Sequence, residues 1–209
     1  MIRIDFFHDV ICGWCYVFSP RLRKLAEEFD LDVHHHAFAL SASREEMISK
    51  FGSMPQAKEI ILGHWEQCAL ADDAQRINVE GMRQKAFEYP FSTPGLKACK
   101  AAEKQGGVNT YWDYFDAVTH AHMSENRNIG DLQVLADIAE QVGLDKSIFL
   151  DDINSTDREV EIQNDRQLAQ SYGVTSTPTL IINNKWFIAG ALDIKVLRHE
   201  LTKIHSLVN

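Results

Sequence analysis

Two cysteines two residues apart, Cys12 and Cys15, lie where a strand pattern hands over to a helix pattern. This placement restricts the fold more than any other feature of the chain. Residues 2–7 form a short apolar run, and residues 19–29 carry Leu22, Leu25, Ala26 and Phe29 at helical spacing. A helix start presents unpaired N–H groups and partial positive charge, both of which favour an anion. The thiolate is the reactive form of cysteine, and such surroundings lower the thiol pKa. A second thiol one turn further on can close a reducible disulfide with the first. The pattern predicts a redox-active dithiol. Two plainer readings compete with it. Half of a zinc site needs a second pair of ligands, whereas Cys68 and Cys99 stand singly and far apart. A pair of inert core cysteines is the other, because free cysteine is commonly buried.

Composition narrows the setting. The chain has 209 residues, enough for one large domain or one domain with a substantial insertion. Hydrophobic residues make up 45% and charged residues 24%, as in an ordinary globular protein. A formal net charge of -9 argues against nucleic acid or an anionic membrane as the main partner. The first residues run straight into a strand pattern, with no secretory signal and no apolar stretch able to span a bilayer. Four cysteines are too few for a disulfide scaffold in a chain this long. The expectation is a cytoplasmic protein with no metal and a working dithiol, its oligomeric state open.

After the first helix, residues 31–38 alternate well enough for a second strand, with Leu31, Val33 and His35 on one face. A helix-length connection implies two parallel strands. His34 and His36 would share the other face, which makes only half of a metal site. Residues 43–46 read as a helix start with Ser43 as cap and Glu46 three residues on. Pro55 fronts another helical run. Residues 76–89 carry no clear pattern. Ser92-Thr93-Pro94 reads as a cap followed by proline at the first helical position, with Gly106-Gly107 ending that helix and an aromatic-rich one following. Asp131 caps a helix closed by Gly143. A last helix of this block carries Val160, Ile162, Leu168 and Ala169. Strands return only after Gln170, as two β-rich runs joined by Asn183-Asn184, a hairpin signal. A terminal helix over residues 193–207 is capped by Asp193. His8 and Asp9 lie close in sequence to the cysteines, where a protonated histidine would stabilise the thiolate and an aspartate would oppose it, although side chains of this kind are more often solvated. Cys68 and Cys99 are expected buried in helices, a second redox pair only if the fold brings them within bonding distance, and Trp65, Trp112 and Tyr114 are expected in the core of the helical block, although some of this set could line the groove above the cysteines.

A βαβ unit, a helical middle and a ββα unit resemble the thioredoxin plan with an insertion. Gly173-Val174-Thr175-Ser176-Thr177-Pro178-Thr179-Leu180 looks like the segment in which that family places a cis-proline facing the redox cysteines. The closer resemblance is to DsbA-like proteins of the FrnE-like branch. Cys12-Gly13-Trp14-Cys15-Tyr16 is similar to their Cys-Pro-Trp-Cys-Tyr motif, with glycine replacing proline, and Leu132 to Ala139 followed by Val142-Gly143-Leu144-Asp145 looks like their insertion helix and turn. The resemblance implies an α/β, thioredoxin-like fold with an all-helical insertion: 1–40 and 164–209 the thioredoxin-like part, 41–163 the insertion. It implies a thiol–disulfide oxidoreductase in which Cys12, the exposed cysteine, forms the mixed disulfide and Cys15 resolves it. Gly13 and Trp14 would tune and contact substrate. Thr177 would offer its backbone to an extended substrate, and Pro178 would keep that place open. No cofactor is implied. The partners are thiol- or disulfide-containing proteins, or glutathione as a thiol partner.

Two other classes fit parts of the same pattern. Kappa-class glutathione transferases and 2-hydroxychromene-2-carboxylate isomerases share the helical-insertion layout, with a serine where Cys12 stands, so a glutathione-dependent isomerase or transferase is the alternative. A binding module that merely retains the fold is the third, and it requires ordinary cysteine pKa values.

Overall fold

The computed structural model describes residues 1–208. Its centre is a four-stranded sheet in the order β2-β1-β3-β4, built from β1 (Ile2–His8), β2 (Leu31–Ala37), β3 (Thr179–Ile182) and β4 (Trp186–Ala189). β1 and β2 are parallel, with helix α1 (Gly13–Glu28) between them in sequence. β3 runs antiparallel to β1, and β4 antiparallel to β3. Asn183 and Asn184 both take positive φ, 49° and 55°, in the two-residue turn between β3 and β4, as the right-handed strand twist demands.

Period-two alternation sorts the strands. Ile4, Phe6 and His8 of β1 pair with Val33, His35 and Ala37 of β2, and all six are buried on one face. There they join residues of α1, of the terminal helix α9 (Ile194–Val208) and of the long helix α5 (Ser92–Met123) in one core. The opposite face carries Asp5, Phe7 and His36 and meets α8 (Asp157–Tyr172), where Phe7 packs with Ala169, Val174 and Ile181.

The middle of the chain is helical: α2 (Arg44–Phe51), α3 (Met54–Ala71), α4 (Val79–Arg83), α5, α6 (Leu132–Gln141), α7 (Lys146–Ile153) and then α8. Ser43 caps α2 by accepting the Glu46 N–H, and Asp131 caps α6. Three features differ from the sequence-based expectation. α7 occupies a stretch the pattern leaves blank, with only Phe149 and Ile153 buried, too short a stripe to read by periodicity. α5 breaks at Gly107, whose φ of 81° and ψ of -171° interrupt the helix without separating its halves. Ser92 is not the cap. Phe91 holds that position without a side-chain bond, and the Ser92 hydroxyl serves a tertiary contact described below.

A polar network ties sheet to helices. Both ring nitrogens of His36 meet carboxylates, Asp5 and Asp165, each at 2.9 Å. Asp165 also accepts the Ala37 N–H at 2.8 Å and pairs with Lys100 of α5 at 2.9 Å. Burial alone would raise the Asp5 pKa, yet the hydrogen bonds from His36 and Arg3 outweigh it and bring the group down to about 2. Burial likewise opposes the charge on His36, but the two carboxylates raise its pKa.

These shifts set the pH response. A carboxylate depressed from 3.8 to about 2 contributes about 2 kcal/mol above pH 4, lost as pH falls through 2. The His36 contribution is fully present below pH 6.5 and is lost as pH rises through its raised value. Urea midpoints against pH should therefore fall at both ends. Asp5→Asn should flatten the acid limb, and His36→Gln the limb above neutrality.

Candidate active site

Cys12 is the N-cap of α1. Its backbone is extended, with φ -87° and ψ 108°, and its Sγ accepts the Cys15 N–H at 3.3 Å. This is the bond a serine or aspartate oxygen makes at a helix start. Because the sulfur turns into the helix, Cys12 is only 5% exposed, a correction to the exposed cysteine expected from the motif. Cys15, one turn on, is fully buried. Trp14 stands at the rim, 37% exposed. The Thr177–Pro178 peptide bond is cis, and the Thr177 carbonyl lies 3.7 Å from Cys12 Sγ, as acceptor for the thiol. The chain thus brings together Cys12, Cys15, Gly13, Trp14, Thr177 and Pro178, from two ends of the sequence.

The two thiols are driven apart. Burial pushes the Cys12 pKa up. Hydrogen bonding from the Cys15 side chain and from the Cys15 N–H, with the Thr177 side chain close by, outweighs it, so the net shift is downward. Burial and the bond to Cys12 push Cys15 well above its ordinary value. One sulfur is prepared to be an anion and its neighbour to keep a proton.

Asp9 and His8 are not solvated neighbours, as sequence proximity suggested; both are fully buried. His8 Nε2 lies 3.1 Å from His35 Nδ1, and burial holds both imidazoles well below the usual histidine pKa. A neutral His8 brings no cation to the site. Asp9 is a pin. Its Oδ2 accepts from Leu40 N and the Ser92 hydroxyl, each at 2.6 Å, and its Oδ1 from Ile11 N at 3.3 Å. Three segments, the loop before Cys12, the loop after β2 and the start of α5, are fastened to one carboxylate. Burial lifts its pKa to about 6 against those hydrogen bonds, and its charge opposes a thiolate at Cys12. Tyr89 adds a second fastening: its hydroxyl donates to the Ile11 carbonyl at 3.4 Å and accepts from Trp65 Nε1 at 3.1 Å. Tyr16, which follows Cys15, bonds His120 at 2.9 Å and Ser124 at 2.8 Å near the end of α5.

Glycine at position 13 has a neighbour that the motif does not reveal. A Cβ there would meet Cys68 Sγ at 2.8 Å. Cys68 of α3 is buried, as expected, but it also borders the site. Burial lifts its pKa to about 12, and the charge on Cys12 acts in the same direction. Cys99 is buried in α5, where burial pushes its thiol well up. A cavity of about 240 Å³ opens beside Cys12 and Cys68, walled by Leu40, Met47, Ile61 and Trp65. Trp65 is therefore both core and site wall, whereas Trp112 and Tyr114 are core. His34 bonds Asp32, and His36 its two carboxylates, so the histidine run offers no ligand set. Among the described residues no group of three or more His, Cys, Asp or Glu is arranged to hold a metal ion.

The profile of the DSBA-like thioredoxin domain matches residues 3–202. The chain belongs to this family. YwbO of Bacillus subtilis is 23% identical over 184 residues, 88% of either chain. The cytosolic disulfide reductase DsbM from Pseudomonas aeruginosa superposes with a TM-score of 0.77 at 21% identity, covering 98% of this chain and 99% of DsbM. DsbM has also been solved with glutathione, with a TM-score of 0.75 to this chain. The 2-hydroxychromene-2-carboxylate isomerase structure gives a TM-score of 0.70 at 17% identity, over 97% of this chain and 95% of that one. At these identities the structural likenesses establish the fold, α/β and thioredoxin-like with helices inserted.

Two outcomes are expected. Gly13→Ala should lower stability by about 1–3 kcal/mol through overpacking, and adding Cys68→Ala should recover much of the loss, read by denaturant unfolding. Asp9→Asn removes a charge that opposes the thiolate, so the midpoint of Cys12 alkylation against pH should shift downward.

Proposed function

We propose that this protein is a thiol–disulfide oxidoreductase working through Cys12 and Cys15. The observation that carries this reading is the asymmetry of the two sulfurs: Cys12 caps a helix and is favoured as an anion, while buried Cys15 stays protonated. A binding module that had only kept the fold would have no cause to separate its thiols in this way.

The exchange has two steps. The Cys12 thiolate attacks a substrate disulfide; a bond forms between Cys12 Sγ and one substrate sulfur, and the other substrate sulfur leaves as a thiolate that takes up a proton. Cys15 then loses its proton and attacks Cys12 Sγ, which releases the second substrate sulfur. The substrate disulfide is reduced to two thiols and the protein dithiol is oxidised to a disulfide. The reverse sequence oxidises a dithiol substrate, and the reduction potential against the ambient thiol pool sets the direction. Thr177 and Pro178 would receive an extended substrate segment over the sulfur, with Gly13 and Trp14 forming the near wall. Residues 1–40 with 164–209 would supply the sulfurs and the Thr–Pro segment, and residues 41–163 the cavity wall. A cytoplasmic setting accords with a chain whose four cysteines are too few for a disulfide scaffold. Glutathione is a candidate partner thiol.

The apolar cavity beside Cys12 favours one second reading, a glutathione-dependent isomerase or transferase that holds an apolar substrate there. The two readings part at Cys15, which only disulfide exchange requires.

Cys12→Ser should reduce exchange with a peptide disulfide to the uncatalysed rate. Cys15→Ser should instead accumulate a one-to-one mixed disulfide, seen by intact mass, while Cys12 still alkylates with a midpoint below that of an ordinary thiol. Glutathione-dependent isomerase turnover that survives Cys15→Ser would favour the second reading.

A further inference from the structure

The apolar cavity at Cys12 is not closed on its far side. It shares Leu40 and Lys50 with a second cavity of about 580 Å³, which runs between the end of β2 and α8 and reaches Thr175, two residues before Thr177. The two cavities meet at Leu40 and Lys50, and the first of them borders Cys12. The two halves differ in chemistry. The near half, walled by Met47, Ile61 and Trp65, suits a branched or aromatic side chain and penalises a charged one. The far half carries Gln163, Arg166 and Gln170 of α8.

The charges of the groove are unequally matched. Lys50 is held by Glu46 and by the Leu40 carbonyl. Glu46 also accepts the Ala42 N–H, and Glu159 pairs with Lys97. Arg166 is exposed and makes no hydrogen bond or ion pair with a described residue, although its charge acts on Glu46 in the same cavity. An exposed guanidinium without an ion-pair partner among the described residues, in the cavity that adjoins the one at Cys12 and in a chain of net charge -9, is not the overflow of a basic surface. Guanidinium presents a fork of donors matched to a carboxylate.

We propose that this groove selects peptide disulfides whose reacting cysteine has an apolar side chain on one side and a carboxylate on the other, the apolar chain entering the cavity at Trp65 and the carboxylate meeting Arg166. The inference rests on the disulfide-exchange reading and names its substrate class. Glutathione has carboxylates but no apolar side chain to fill the near half.

The test is single-turnover. Reduced protein is mixed with short peptides whose cysteine carries thionitrobenzoate in mixed disulfide. Attack of Cys12 on the peptide sulfur breaks that bond and releases coloured thionitrobenzoate. The panel places leucine and aspartate on either side of the cysteine, in both orders, with lysine for aspartate and serine for leucine as variations. Each rate is divided by that of the same protein with neutral bis(hydroxyethyl) disulfide. In the better order, aspartate peptides should react about fivefold faster than lysine peptides, the size of one exposed charge pair in contact. Leucine should exceed serine about tenfold. Arg166→Glu should invert the aspartate–lysine order, and Arg166→Gln should level it. An order unmoved by Arg166→Glu, or glutathione disulfide reacting as fast as the best peptide, overturns the inference and leaves the exchange reading standing. Failure of every disulfide to react with folded, reduced protein overturns both.

Discussion

A sulfur anion must be made affordable in a site almost shut off from water; the rest of the structure answers to that requirement. Burial opposes the charge on Cys12, so each compensating group has to be placed within hydrogen-bond reach. The start of α1 provides the Cys15 N–H, while the segment that leads into β3 brings the Thr177 carbonyl over the sulfur, where it accepts from the neutral thiol. Neither contribution works unless the loop between β1 and α1 is held still. Asp9 does this from inside, by binding three separate segments, and Tyr89 repeats the restraint from the helical block. The same carboxylate weakens the anion it helps to position. Architecture and electrostatics pull in opposite directions at that residue, and architecture prevails.

The helical block does not sit beside the sheet as an appendage. Its residues share one apolar core with both strands of the parallel pair and with the terminal helix. On the sheet's other face, His36 and Asp165 join β1, β2, α5 and α8 through charges. The sulfur site is therefore the product of the whole chain: sulfurs from the β1–α1 junction, a roof from the approach to β3, a wall from α2 and α3.

What could be read from the sequence was local. The dithiol at a strand-to-helix junction, the Asn183-Asn184 turn, the caps at Ser43 and Asp131 and the Thr177-Pro178 segment each depend on a few adjacent residues. What could not be read was decided by distant partners. Ser92 has the form of a cap, yet its hydroxyl belongs to Asp9, 83 positions away. His8 and Asp9 look like surface polar residues because nothing nearby in the chain announces their burial. Cys68 lies in an unremarkable helical run, and its position against Gly13 exists only after α3 folds over the motif.

The complete burial of Cys15 decides more than its protonation. A bulky disulfide meets one sulfur and cannot reach the other, so the order of events is imposed by shape. Raising the pH until both thiols ionise would abolish the chemical distinction between them and leave the geometric one intact. The same seclusion shields the inner sulfur from oxidants and alkylating agents that arrive from solution, so damage should fall first on the member of the pair that can still be rescued by its partner.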